Sequence, residues 1–441
     1  MRIHISCLVD HDPKFVIQAY NWAISLKATG TVATPFICSV DGALSGSQVQ
    51  TFTKIGARVV EAERFGEGRA AYCNKISQLF VDELVDCDWL ILSDADIGFL
   101  APPEQMINGA QLRARRVDGP NPPVKHIENW LEAIGMPWFG DAEAEFARQP
   151  SRLNSIIGAV NSVMNGLAPR TGTDMVQRKT LVHNYNGGLY VIRRDVVVAL
   201  RTAWSDFASK LLETAPSEAG WAKHADQIGF ACAVHSLGLE VSELESGWNF
   251  AVHRKLRDYK SLSHKPQLFG LHYHNQLDNH GVPKALGLPW IDKSINALRE
   301  VIVAGRREQF DNEIFWDFRY KYHPELGSGL GSRGDGLVHK QALTAPAFEK
   351  MANCTVVDVG CGDIEFVRKE AFGEYMGLDL SEQAIAKAKE KRPDWSFRVG
   401  QIESLQDESF DFVLCMDVLI HQPNPAAAEA LVDEMFRVAR K

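Results

Sequence analysis

The chain has 441 residues, 45% of them hydrophobic and 23% charged, with a net charge of −9 and a pI near 5.9. That length favours two or three domains, the composition excludes extensive disorder, and the acidic balance excludes the basic footprint of a nucleic-acid binder. No apolar run approaches membrane-spanning length, Met1-Arg2-Ile3-His4 reads as the start of a strand rather than of a signal peptide, and the eight cysteines lack CxxC spacing; together these predict a cytoplasmic protein with reduced core thiols and no membrane span.

From Arg2 to about Leu100 strands alternate with helices. Ile3–Val9 reads as a buried strand, and Pro13–Lys27 as an amphipathic helix with Asp12 as its N-cap and Gly30 just past its end. Thr34–Val40, Ala57–Glu61 and Trp89–Ser93 are further short apolar strands, which predicts a mostly parallel sheet covered on both faces. Residues 101–181, rich in Pro, Gly, Trp and Asn, read as an insertion with helical patterns at Ile127–Ile134 and Leu153–Met164. Strand signals resume at Gly187–Ile192, Leu239–Glu243 and Gln267–Tyr273, and one long helical pattern covers Lys293–Tyr322. The glycine-rich stretch Gly327–Gly336 marks the main domain boundary, and strand-helix alternation begins afresh at Thr355.

Ligands of such sheets bind beyond the carboxyl ends of the strands, so the residues there carry the chemistry. Asp94 and Asp96 follow the buried strand Trp89–Ser93 directly, whereas Asp86 and Asp88 precede it and read as a solvated loop. Breaking a bond to a nucleoside diphosphate requires that the leaving charge be neutralised, and a divalent metal held by two such carboxylates does this. His272 and His274, two apart, point to one strand face and offer the further ligand that the aspartates need. Aromatic residues of the insertion (Trp130, Trp138, Phe139) read as a small core of its own.

Five segments fall in one order: Asn74-Lys75-Ile76, then Asp88 to Asp96, then Tyr185-Asn186-Gly187-Gly188, Ala225-Asp226-Gln227, and Phe269 to His274. Over roughly the first 280 residues this resembles the glycogenin-like, family 8 glycosyltransferases, which have the GT-A fold. The resemblance implies Mn2+ or Mg2+ held by Asp94, Asp96 and His272, and a UDP- or GDP-sugar donor. It implies that Lys75 meets the diphosphate or sugar, that Asn186, Asp226 and Gln227 face the sugar and acceptor, and that Val9 and Asp10 meet the base. Family members retain anomeric configuration. The family's closing lysine has no counterpart here, since His272 is followed by Tyr273-His274-Asn275-Gln276.

In the second segment, Thr355–Val359 runs into the turn Gly360-Cys361-Gly362, and a second strand ends at Asp379. Glycines let the backbone approach a cofactor, and the downstream acid accepts from ribose hydroxyls. With Phe397–Gln401 as a third strand and Phe410–His421 containing a fourth, the segment resembles class I methyltransferases, Rossmann-like domains that use S-adenosylmethionine. Asp358, Gly360, Gly362, Asp379 and Gln401 are the implied cofactor residues; Ile364 stands where a third glycine is frequent. Dinucleotide binders require a glycine at 365, which is Glu365. The family fold needs about three more strands than Lys441 allows, so this part is expected to be an incomplete domain that binds the cofactor weakly. Gly327–Gly334 reads as a loop over the cofactor or as a linker, and His421 as a core histidine rather than a base.

The expected arrangement is α/β throughout: a GT-A domain with a mixed, mostly parallel sheet over 1–290, a helical and glycine-rich linker over 291–336, and part of a Rossmann-like class I methyltransferase domain over 337–441. The expected function is metal-dependent sugar transfer to a glycan or glycoconjugate acceptor, with O-methylation of the same glycan. Two alternatives stand beside it. A nucleotidyltransferase shares the sheet but requires a glycine- and arginine-rich loop after the first strand, which Cys7-Leu8-Val9-Asp10 lacks. The methyltransferase part could instead serve only as a scaffold for homo-oligomers.

Overall fold

The computed structural model describes residues 1–148, 177–214, 220–259, 262 and 264–440. The central strands lie where the sequence is continuously apolar. β1 (Ile3–Val9), β2 (Thr34–Val40), β3 (Arg58–Ala62) and β4 (Trp89–Ser93) are parallel, and β1 and β4 lie at the centre, buried on both faces. After β4 come β5 (Ile97–Phe99), β6 (Leu112–Arg116) and the ribbon of β7 (Asp141–Arg148) and β8 (Gln177–Leu181). β9 (Tyr185–Arg193) is antiparallel to both β4 and β6, and β10 (Val241–Glu243) pairs parallel with β6. The result is a seven-stranded mixed sheet of order β10-β6-β9-β4-β1-β2-β3. β11 (Phe250–Ala251) and β12 (Gly270–His272) join β5 in a small second sheet of order β11-β12-β5.

Alternation along the strands builds two apolar layers. Ile3, Ile5, Cys7, Val9 and Ile91 pack with the helices Pro13–Ala28 and Pro289–Glu308. Leu90, Leu92 and Tyr190 pack on the other face with Val124–Ala133, Arg194–Thr214 and Ala225–Leu237. Asp12 caps the first helix by accepting from the Lys14 amide at 2.9 Å, as its position predicts. Trp130 is fully buried and Phe139 stacks on His235 at 4.1 Å, in keeping with a core role for these aromatics.

Three expectations are corrected. Residues 101–181 are not wholly an insertion, because β6 is an interior strand of the main sheet; the helix expected at Leu153–Met164 lies outside the described residues. The strand expected over Gln267–Tyr273 shortens to Gly270–His272. The single helix expected over Lys293–Tyr322 is two, Pro289–Glu308 and Asn312–Tyr322, broken where Asp311 accepts from the Ile314 amide at 2.9 Å and starts a new helix.

The second unit holds β13 (Thr355–Val359), β14 (Glu374–Asp379), β15 (Ser396–Val399) and β16 (Phe412–Leu414), all parallel in the order β15-β14-β13-β16. The helix Asn312–Tyr322 is more than a connector. Tyr322 donates its hydroxyl to Asp12 at 2.6 Å, and Asp317 accepts from Ser381 at 2.5 Å, so one helix is tied to both units. Among the described residues no helix is long and apolar enough to cross a membrane.

Candidate active sites

A cleft of about 480 Å³ opens at the carboxyl ends of β1 and β4. The β4–β5 turn sets its floor. Asp94 donates its amide to the Gly188 carbonyl at 2.8 Å, and Tyr273 donates to the Asp96 carbonyl at 3.0 Å, which pins the turn between β9 and β12. Asp96 is half-buried, with Oδ1 at 3.1 Å from His272 Nε2 and Oδ2 at 3.4 Å from His274 Nδ1. Asp94 is more open; its Oδ2 lies 3.7 Å from His272 Nε2, and its Oδ1 accepts from Lys75, which also donates to the Gly187 carbonyl.

The electrostatics follow from crowding. Burial opposes the charge on Asp96, but the His272 ring beside it holds its carboxyl far below the usual range. Burial likewise works against charge on His272, and Asp96 overrides it, raising the imidazole. Asp96 Oδ1 and both His272 nitrogens are buried with no aligned hydrogen bond among the described residues, since the 3.1 Å approach lies off the bonding axis. Buried carboxylate and imidazole atoms left bare in this way fit a divalent cation.

Asp226 and Gln227 begin the helix Ala225–Leu237 on the opposite wall. Burial pushes the Asp226 carboxyl up to about 7, with Lys75 opposing the rise, and Trp204 donates to its carbonyl at 2.7 Å. Gln227 donates to the Asn121 carbonyl at 2.9 Å and to Asn184. Asn186 accepts from the Gly188 amide at 3.0 Å and donates to Asp118 at 2.7 Å. Asp10 lines the cleft, whereas the Val9 side chain is buried in the core, so only its backbone can face a ligand.

The structure thus gathers Lys75, Asp94, Asp96, Asn186, Asp226, Gln227, Asp10 and His272 around one space. Sequence reasoning passed over Asp118, whose buried carboxylate anchors Asn186 and pairs with Arg115 at 2.7 Å. Its only signal is a position in the loop after β6, within the stretch whose composition suggests an insertion. Gly188 explains the glycine pair after Asn186. A Cβ there would stand 2.7 Å from both Asn249 Oδ1 and His272 Cε1. Gly188→Ala should therefore push His272 off Asp96, and we expect a lower melting temperature together with weakened Mn2+ binding by calorimetry.

A second pocket of about 320 Å³ lies at the carboxyl ends of β13 and β14. Gly360, Asp379 and Gln401 line it, joined by Trp316 and Tyr320 from the helix Asn312–Tyr322 and by Ser328 and Ser332 from the glycine-rich stretch, which is thus a pocket wall. Asp379 accepts from the amides of Gly362 and Ser381, each at 2.9 Å, and burial pushes it up to about 6. Gly362 is one step behind the wall, where a Cβ would collide with Ser328 and Tyr320. Asp358 is also set back: it is buried, accepts from Tyr375 at 2.8 Å, and is pushed up to about 7 by burial. Ile364 has φ +53, so the position where a glycine is frequent keeps the glycine's left-handed backbone. His421 is not a core histidine; it is exposed at the pocket edge, with its ring edge-on to Trp316 at 5.3 Å.

Residues 357–441 match the family described as methyltransferase domain. Within this region the chain is 33% identical over 89 residues to the ubiquinone biosynthesis O-methyltransferase of Hydrogenovibrio crunogenus, covering 18% of this chain and 37% of that relative. Among solved structures, the galactosyltransferase LgtC with donor and acceptor sugar analogues is 11% identical, covers 69% of this chain and 96% of its own, and superposes with a TM-score of 0.38. The bifunctional glycosyltransferase WbbM is 9% identical, with 68% of this chain and 52% of its own covered and a TM-score of 0.37. Residues 357–441 are thus similar to the methyltransferase domain family, and the chain spans well under half the length of the curated relative it matches there.

Proposed function

We propose that the first cleft transfers a sugar from a UDP- or GDP-sugar to a glycan or glycoconjugate acceptor, with Mn2+ or Mg2+, and that the second pocket takes S-adenosylmethionine to methylate a hydroxyl of the same glycan. The observation that carries the reading is the convergence of Asp94, Asp96, His272, Lys75 and Asp226 on one cleft at the strand ends. Asp94, Asp96 and His272 would hold the metal, which when bound neutralises charge on the departing diphosphate. Lys75, already aimed at Asp94 and the Gly187 carbonyl, adds a cation on the same side. Asn186, Asp226 and Gln227 form the facing wall, where hydroxyls of donor and acceptor need polar partners. Asp226 titrates near 7, so it can accept a hydroxyl hydrogen bond as a carboxylate or donate one as an acid. The eight cysteines are unpaired, which fits action in the cytoplasm.

The test is a thermal-shift panel of nucleotide sugars with and without Mn2+. We expect stabilisation by donors of one base, dependent on the metal and removed by EDTA. Absence of any nucleotide-dependent shift, or an equal shift in excess EDTA, overturns the reading.

A further inference from the structure

We propose that His274 is a protein ligand of this metal alongside Asp94, Asp96 and His272, and that the resulting set, with two imidazoles beside the carboxylates, selects Mn2+ over Mg2+. The inference rests on the metal-dependent reading above and deepens it. One ligand atom from each of Asp96, His272 and His274 lies within 4.8 Å of the others. An ion bound to all three would draw those atoms closer together by side-chain movement.

The backbone supplies a second, independent observation. In a continuing strand, residue 274 would project from the same face as His272 but about 6.6 Å further along. Instead the strand stops at His272, and His274 takes φ +47, an uncommon left-handed conformation for a residue with a side chain. Its carbonyl accepts from the buried Gln18 amide at 2.6 Å, which holds the turn against the helix Pro13–Ala28. The turn folds the ring back onto His272, with centroids 4.0 Å apart and planes 24° from parallel. The His253 ring closes edge-on at 3.8 Å from the outer side. Two imidazoles are thus brought to the Asp96 carboxylate by this turn.

The donor set decides the metal. Mg2+ is a hard ion that favours oxygen ligands and retained water, whereas a first-row transition ion such as Mn2+ accepts imidazole nitrogen more readily than Mg2+ does. The experiment uses the full chain loaded with Mn2+, with pulsed EPR counting the 14N nuclei coupled to the ion. Calorimetric titrations of Mn2+ and Mg2+ accompany it, into the unaltered chain and into His274→Ala. We expect two coupled nitrogens in the unaltered chain and one in the variant. We also expect at least about a tenfold loss of Mn2+ affinity in the variant with little change for Mg2+. A single coupled nitrogen in the unaltered chain, or a Mn2+/Mg2+ ratio unchanged by His274→Ala, overturns the proposal while leaving a metal site in place. Failure of the unaltered chain to bind Mn2+ overturns the metal-dependent reading itself, and this proposal with it.

Discussion

Asp96→Asn should abolish metal-dependent sugar transfer while leaving the fold intact. Asn preserves the volume of this half-buried side chain, so the β4–β5 turn, fixed by backbone bonds to β9 and β12, has no steric reason to move. What disappears is the charge. Asp96 is the main group raising the His272 imidazole, and its loss strips the site of the carboxylate nearest that ring. A metal that neutralises a leaving group supplies several kcal/mol of transition-state stabilisation, and each 1.36 kcal/mol is tenfold in rate. We therefore expect kcat/KM to fall by about three orders of magnitude, with Mn2+ binding lost in calorimetry and circular dichroism unchanged. Asp94→Asn should cost less, because Asp94 is more open and Lys75 already engages one of its oxygens. Mn2+-dependent transfer at full rate in Asp96→Asn would show that the metal, or the reaction, lies elsewhere.

The parts of this architecture that were legible in the sequence are those governed by apolar periodicity. β1, β2 and β4 begin and end where their apolar runs do, and Asp12 caps the helix that its position announces. β6 was hidden because Leu112-Arg113-Ala114-Arg115-Arg116 looks like a charged surface. Yet Arg113 is buried and donates to the carbonyls of Met106 and Glu243, and Arg115 is buried against Asp118 and the Asn249 carbonyl. Pairing partners of that kind are distant in sequence, so periodicity alone cannot find them. The break between the helices Pro289–Glu308 and Asn312–Tyr322 was masked by the helical pattern continuing on both sides of Asp311. Asp118 shares the same difficulty, because it acquires its setting from Asn186, more than 60 residues away.

The pocket of the second unit should bind S-adenosylhomocysteine, and Asp379→Ala should weaken that binding by about 10- to 100-fold. Asp379 ends β14 at the pocket edge, and the amides of Gly362 and Ser381 each occupy one lone pair on its two oxygens. A carboxylate has roughly four acceptor sites, so those facing the pocket remain for the paired hydroxyls of a ribose. Hydrogen bonds to a charged group contribute about 1.5–3 kcal/mol, which sets the expected loss. The pH dependence carries a definite sign. Burial raises Asp379 to about 6, and hydroxyl donors favour the ionised form, so a bound ribose should pull that value down. Affinity should therefore hold above about pH 7 and decline as pH falls through 6, and the decline should vanish in Asp379→Ala. Gly360→Val is a second probe. The Gly360 backbone has φ +69 and a Cβ there would strike Val418, so a branched side chain should close the pocket without removing the carboxylate. Calorimetric titrations of S-adenosylhomocysteine and of NAD into the three chains at pH 5.5 and 7.5 decide the matter. Undiminished binding to Asp379→Ala, or a preference for NAD in the unaltered chain, would remove the methyl-donor cofactor from this pocket.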